Sequence, residues 1–188
     1  MIVDGGPCPM GMESTVLDVT VCPPMMLRPG GVTREMLEAV IGPISLDPSL
    51  SGTSGKPKAP GMKYAHYAPR APLILYTGTP EDVTARIAAE AAALHVAGKN
   101  VGLLCTEESI DTYARIFAEK PGHERILPLS AGCRARPGTI AAGVFATLRQ
   151  FDVLGVDVIL AEGFPETGVG HAIMNRLKKA AGGHVVNC

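Results

Sequence analysis

From Leu73 onward the chain alternates short apolar runs with longer amphipathic stretches. LILYTG (73–78) reads as a buried strand. Thr79-Pro80-Glu81-Asp82 follows as an N-cap, a proline at the first helical position and acids in the first turn. The Ala-rich stretch to Ala97 is strongly helical, and Gly98 can end it. NVGLLCT (100–106) predicts the next strand and IDTYARIFAEK (110–120) the next helix, stopped by Pro121-Gly122. RILPLS (125–130) is a third strand. Pro137 opens a helix whose stripe is Ile140, Val144, Leu148 and Phe151. VDVILAEG (156–163) is nearly continuous in apolar character, as a strand covered on both faces requires. GHAIMNRLKKAA (170–181) is a last helix, with Lys178 and Lys179 at its end and Gly182-Gly183 beyond. Four strand–helix repeats argue an α/β fold with a Rossmann-like parallel sheet and flanking helices over 73–188.

The first part has a different texture. Eleven of the 16 prolines precede Leu73, which puts a boundary near Pro72. STVLDVT (14–20) reads as a strand, and MMLRPGG leads into the helix TREMLEAVI (33–41), with Thr33 as N-cap and Gly42 after its end. MIVD opens as if midway through another strand. A few short strands and one helix cannot bury a sufficient core. Residues 1–46 are therefore expected to be the tail of a larger domain. Residues 47–72 form an extended segment in which Lys56, Lys58, Lys63 and Arg70 follow Asp47 without another acid. Such a segment is a tether or a functional lid. Tyr64, His66 and Tyr67, set among cations and prolines in APGMKYAHYAPRAP, weaken the case for a plain tether without removing it, because they can stack on or hydrogen-bond a ligand.

Composition narrows the classes. The formal charge of −1 excludes a global nucleic-acid footprint, though not a local patch. Mean hydropathy is +0.21, so the chain builds a core. No apolar run approaches the ~20 residues of a membrane span, and MIVDGGPCPM has no signal-peptide pattern. Five cysteines at irregular spacing, with no CxxC, read as reduced thiols in a cytoplasmic protein. Aromatic residues are 4% of the chain, which disfavours a base-stacking surface.

Several motifs invite chemistry. GTSGK (52–56) fails as a P-loop, because Leu50 and Pro57 stand where Gly and Ser/Thr are needed. EGFPETGVGHA (162–172) lies between a strand and a helix, where N–H groups can meet an anion, or it is a tight turn with a helix cap. Asn175 and Arg176 face either solvent or that loop. Ser14-Thr15 lacks a nucleophile elbow, and its functional form is hydrogen bonding to a polar substrate from the end of a strand. Arg28, in LRPGG where the backbone turns before a helix, suits phosphate or a surface ion pair. The histidines have no metal-ligand spacing, and Cys8 has no evident activating base.

Four strings in order, DGGPCPMGMESTVLDVT, LRPGGVTREMLEAVIG, APGMKYAHYAP and GVGHAIMNRLKKAAGG, resemble the threonylcarbamoyl-AMP synthase family in its two-domain form. The resemblance implies a YrdC-like catalytic domain, of which residues 1–46 would be the C-terminal remnant. It implies a linker that folds over the cleft (47–72) and a Rossmann-like domain (73–188). It implies a nucleotidyltransferase that joins L-threonine, bicarbonate and ATP into threonylcarbamoyl-adenylate and pyrophosphate, with Mg2+. The product would serve threonylcarbamoyladenosine formation in tRNA. Possible partners are tRNA, with the double-stranded RNA binding that goes with it, or the downstream tRNA-modification complex; no membrane partner is implied. By the same resemblance Ser14 and Thr15 would contact threonine or its carbamate, and Arg28 the phosphates. Tyr67, with His66, Lys63 and Tyr64, would lie near the ATP. The family's usual Lys, Arg and Ser-x-Asn phosphate ligands are not in this sequence, so the chain alone is expected to have little or no synthase activity. Two other readings stay open: a noncatalytic nucleotide-binding or regulatory module, and a subunit complementing the other half of a split enzyme. Apolar surface on the first 46 residues is expected to drive pairing or aggregation.

Overall fold

Two sheets organise the chain, and they differ in how much each can bury. A computed structural model describes residues 1, 3, 6, 10–50, 58–59 and 68–188. The smaller sheet has the order β1-β2-β3, from Val16–Asp18, Met25–Arg28 and Ser45–Leu46. β1 and β2 are antiparallel, whereas β2 and β3 are parallel and are bridged by α1 (Arg34–Ile41). α1 starts where expected: the Thr33 hydroxyl accepts the Met36 N–H at 3.3 Å. It stops at Gly42, whose φ of 79° suits glycine. Glu38 pairs with Arg34 at 2.9 Å and also accepts the Ile44 N–H, which ties the helix to the strand after it. A short 3-10 turn, Pro48–Leu50, ends this part.

The larger sheet is fully parallel, with the order β6-β5-β7-β4-β8. Its strands are β4 (Leu73–Thr77), β5 (Val101–Cys105), β6 (Ile126–Ser130), β7 (Val158–Glu162) and β8 (Val185–Asn187). α2 (Pro80–Val96) and α3 (Glu107–Phe117) pack on one face through Val83, Ile87, Ala91, Tyr113 and Phe117. α4 (Pro137–Leu154) and α5 (Val169–Ala180) cover the other face through Ile140, Val144, Leu148, Phe151, Ile173 and Leu177. The α/β class and the parallel sheet match expectation. β5 and β7 are buried at every position, as a doubly covered sheet demands.

Five points differ from expectation. The strand expected over 14–20 is only Val16–Asp18, because Arg28 and the turn after β2 hold Ser14 and Thr15 by side-chain bonds in place of a ladder. The sharp turn placed at Arg28 comes later, at the bend Gly31–Val32; Arg28 itself closes β2. The helix expected over 110–120 runs from Glu107, because the Thr106 N–H donates to Ser109 Oγ at 3.1 Å and caps it early. A fifth strand, β8, was not expected; it is three residues of edge strand after two glycines. Met1 and Val3 are exposed and lie in no strand, since a strand needs a hydrogen-bonded neighbour; Ile2 and Asp4 lie outside the described residues.

Candidate active site

The antiparallel register of the small sheet sets Val16 against Arg28, so Arg28 lies across from the chain entering β1. Its guanidinium donates twice to one residue, from Nε to the Ser14 carbonyl at 3.0 Å and from Nη2 to Ser14 Oγ at 3.2 Å. This fork fixes the Ser14 backbone and hydroxyl together. Gly30 explains the glycines after Arg28: a Cβ there would lie 2.4 Å from both the Glu13 carbonyl oxygen and the Thr15 nitrogen. Only glycine lets the turn approach the strand so closely. The Thr15 hydroxyl donates to the Val32 carbonyl at 2.6 Å, which ties the strand entry to the residue before the α1 cap.

Above Ser14 and Thr15 lies a cavity of about 440 Å³, bounded by Met12, Glu13, Leu17, Val32 and Leu37. Its walls are mostly apolar, with Glu13, Ser14 and Thr15 as polar lining residues. α5 reaches one of these, Glu13. Arg176, 3% exposed, meets the Glu13 carboxylate with its Nε at 3.0 Å. Lys179 sits one turn on. Burial, with the charges of Arg176 and Arg28 opposing Glu13, pulls its ammonium down to about 8. Three cations and one carboxylate thus share the neighbourhood of Ser14, an arrangement suited to a carboxylate or phosphate ligand. A second bond joins the two parts: the Gly168 N–H at the start of α5 donates to Glu35 Oε1 at 3.3 Å. The Glu35 carboxyl is held below the usual range by its own backbone N–H, then by Thr33 and Gly168. The helix N-terminus in the Gly-rich loop is therefore capped by a carboxylate of this chain.

Ser14, Thr15 and Arg28 come together as one group. Lys63, Tyr64, His66 and Tyr67, together with Cys8 and the GTSGK string, lie outside the described residues. Glu13, Arg176 and Lys179 were missed as site residues. A signal existed for Arg176: it falls between Ile173 and Leu177 on the buried face of α5, where an arginine needs a partner.

The carboxyl edge of the large sheet holds another polar group. Glu162, fully buried at the end of β7, accepts from Arg134 at 2.7 Å and from the Ser109 hydroxyl at 2.6 Å. A cavity of about 560 Å³ opens beside it. Burial alone would raise the Glu108 carboxyl, but the Arg134 N–H, the Cys133 thiol and the Ala135 N–H hold it down at about 2. Among the described residues no group of three or more His, Cys, Asp or Glu is placed to hold a metal. Among the described residues, too, no helix is long and apolar enough to cross a membrane.

Comparison with known proteins fits this geometry to a family. The family described as threonylcarbamoyl-AMP synthase, C-terminal domain, matches residues 32–182. A threonylcarbamoyl-AMP synthase of Bacillus subtilis (strain 168) is 50% identical over 185 residues, covering 98% of this chain and 49% of its own length. The Pyrococcus abyssi (strain GE5 / Orsay) protein of the same name is 41% identical over 186 residues, covering 98% of this chain and 50% of its own. The crystal structure of P. abyssi Sua5 complexed with L-threonine superposes with a TM-score of 0.83 at 40% identity, covering 98% of this chain and 50% of that one. The chain spans about half the length of the curated relatives it matches. On these matches the chain belongs to the family of the threonylcarbamoyl-AMP synthase C-terminal domain.

Proposed function

We propose that this chain works as part of an L-threonylcarbamoyladenylate synthase, in which L-threonine, bicarbonate and ATP become threonylcarbamoyl-adenylate and pyrophosphate. The product would pass its threonylcarbamoyl group to an adenosine of tRNA, either directly or through a downstream modification complex, in the cytoplasm. One observation carries the reading: the Arg28 fork on Ser14, a residue that lines a cavity of small-molecule size. A relative solved with L-threonine supports the substrate.

The chemistry asks little covalent work of the protein. Threonine's amine attacks bicarbonate, whose C–OH bond breaks with loss of water to leave the carbamate, and the carbamate oxygen then attacks the α-phosphate of ATP, expelling pyrophosphate. Positioning and neutralisation of charge supply the acceleration. Ser14 and Thr15 would orient threonine or its carbamate by hydrogen bonds. Arg28 would hold Ser14 and answer phosphate charge. Lys63, Tyr64, His66 and Tyr67 would close over the nucleotide and keep water from a hydrolysable anhydride. Magnesium is the metal expected with ATP. The described residues offer no set of three carboxylate, imidazole or thiolate ligands for a resident ion.

The test is a chimaera that joins this chain to the part of the Bacillus subtilis relative that it does not match. Pyrophosphate release that requires both threonine and bicarbonate is the expected result. A folded chimaera with no such release, beside an active B. subtilis protein, overturns the reading.

A further inference from the structure

A second cleft, of about 440 Å³, lies between α5 and the 3-10 turn Pro48–Leu50. Ser49, Glu166, His171, Asn175, Lys178 and Lys179 face it. We propose that this cleft is a pyrophosphate-binding site formed by Lys179, Asn175, His171 and Ser49. The donor set alone calls for an oxyanion; the choice of pyrophosphate rests on the proposed synthase reaction, which must release it.

Three observations converge. First, Asn175 Oδ1 is buried and has no hydrogen-bond partner among the described residues. A buried amide oxygen left unpaired costs free energy, and Asn175 is a lining residue of the cleft. Half a turn about the terminal torsion presents Nδ2 as a donor to an anion. Second, the acids nearby are already engaged. Glu166 is bonded to Lys178 at 2.5 Å. Asp47 accepts the Ser49 N–H at 2.8 Å and is held low by Ser49, against its burial. The Ser49 hydroxyl is directed towards that carboxylate but is buried without a well-formed hydrogen bond. Third, Lys179 stands where cations accumulate. Lysines at a helix C-terminus ordinarily complement the helix dipole from solvent. Lys179 is instead partly desolvated beside Arg176 and within the field of Arg28. An anion in the cleft relieves that crowding.

The same cation field links the cleft to the Ser14 cavity. An anion leaving the site at Arg28 would meet Lys179 next. Pyrophosphate, with its high charge and many acceptor oxygens, matches a lysine, an amide, an imidazole and a hydroxyl better than a monoanion does.

Calorimetric titration of the full chain with sodium pyrophosphate tests this, using wild type, Lys179→Gln, Asn175→Leu and the exposed control Lys99→Gln. Thermal unfolding checks that each variant folds. The expected result is binding to wild type and K99Q, weakened about tenfold or more in K179Q, a loss near 1.4 kcal/mol, and weakened less in N175L. Equal affinity in wild type and K179Q, or no binding to wild type at millimolar pyrophosphate, overturns the site. The synthase reading fails separately: a chimaera without threonine-dependent turnover, in a chain that still binds pyrophosphate through Lys179, leaves the oxyanion site and removes its assignment to that reaction.

Discussion

α1 and α4 show two ways for a helix to exist in this chain. α4 buries Ile140, Ala141, Val144, Thr147, Leu148 and Phe151 against the large sheet. α1 is amphipathic by sequence but buries no residue, and Met36, Val40 and Ile41 stand exposed, as do Val19 and Val32 outside the helix. The larger sheet with its four helices supplies its own core. The segment that carries Ser14 and Arg28 does not. It is held by caps, by short ladders and by α5, through Glu13–Arg176 and Glu35–Gly168. The groups with the most evident chemistry thus lie on the part of the chain least able to support itself.

The sharpest way to break this comparison is to make matched truncations in the two helices. Phe151 is 1% exposed and sits against Gly102, where an added Cβ would lie 2.7 Å from its ring. Phe151→Ala is expected to cost about 3–5 kcal/mol in urea unfolding. Val40→Ala, at a side chain 82% exposed, should stay within about 0.5 kcal/mol. A similar cost for both would show that α1 is packed after all.

Next in size is Arg134→Ala, which strands the fully buried Glu162 carboxylate. Loss of a partner from a buried pair costs about 3–5 kcal/mol, and part of that should be recovered in the double variant with Glu162→Gln. A shift confined to the large-sheet domain, read by residue-level amide exchange, would sharpen the contrast between the parts.

A smaller effect concerns self-association. Met36→Lys with Val40→Lys should shift a concentration-dependent sedimentation profile towards the monomer, because the exposed α1 face is the apolar surface removed. An unchanged profile would place the association elsewhere.

The last effect is the pH response of Lys179. Its folded-state value, about 8, lies below the ordinary 10.5. Below about 8 the folded and unfolded chains both carry the charge. Between about 8 and 10.5 the unfolded chain binds the proton that the folded chain has released, so stability rises with pH. Relative to Lys179→Gln, wild type should therefore gain stability from pH 8 to pH 10.5; a flat difference in urea midpoints would contradict the crowding of Lys179 by Arg176 and Arg28.

The large sheet was legible because its signals are local. Apolar runs mark β5 and β7, Thr79-Pro80 marks the start of α2, and the 140-144-148-151 stripe marks α4. β8 was not legible, since three residues with one partly buried side chain carry no periodic signal. Ser14 and Arg28 could be singled out by residue type and by resemblance, but not their hydrogen bonds, which depend on the β1–β2 register. Glu13–Arg176 joins positions far apart in the chain, and no local pattern announces such a pair. Arg176 in an apolar helical stripe was the one clue that a partner had to exist.

The central claim is that the large-sheet domain holds the Ser14–Arg28 segment in place through α5. Amide hydrogen exchange on wild type and Arg176→Leu measures this directly. Faster exchange is expected in the variant across β1 and β2, with β4, β5 and β7 retaining their protection. Unchanged exchange across β1 and β2 in a folded Arg176→Leu chain would contradict it.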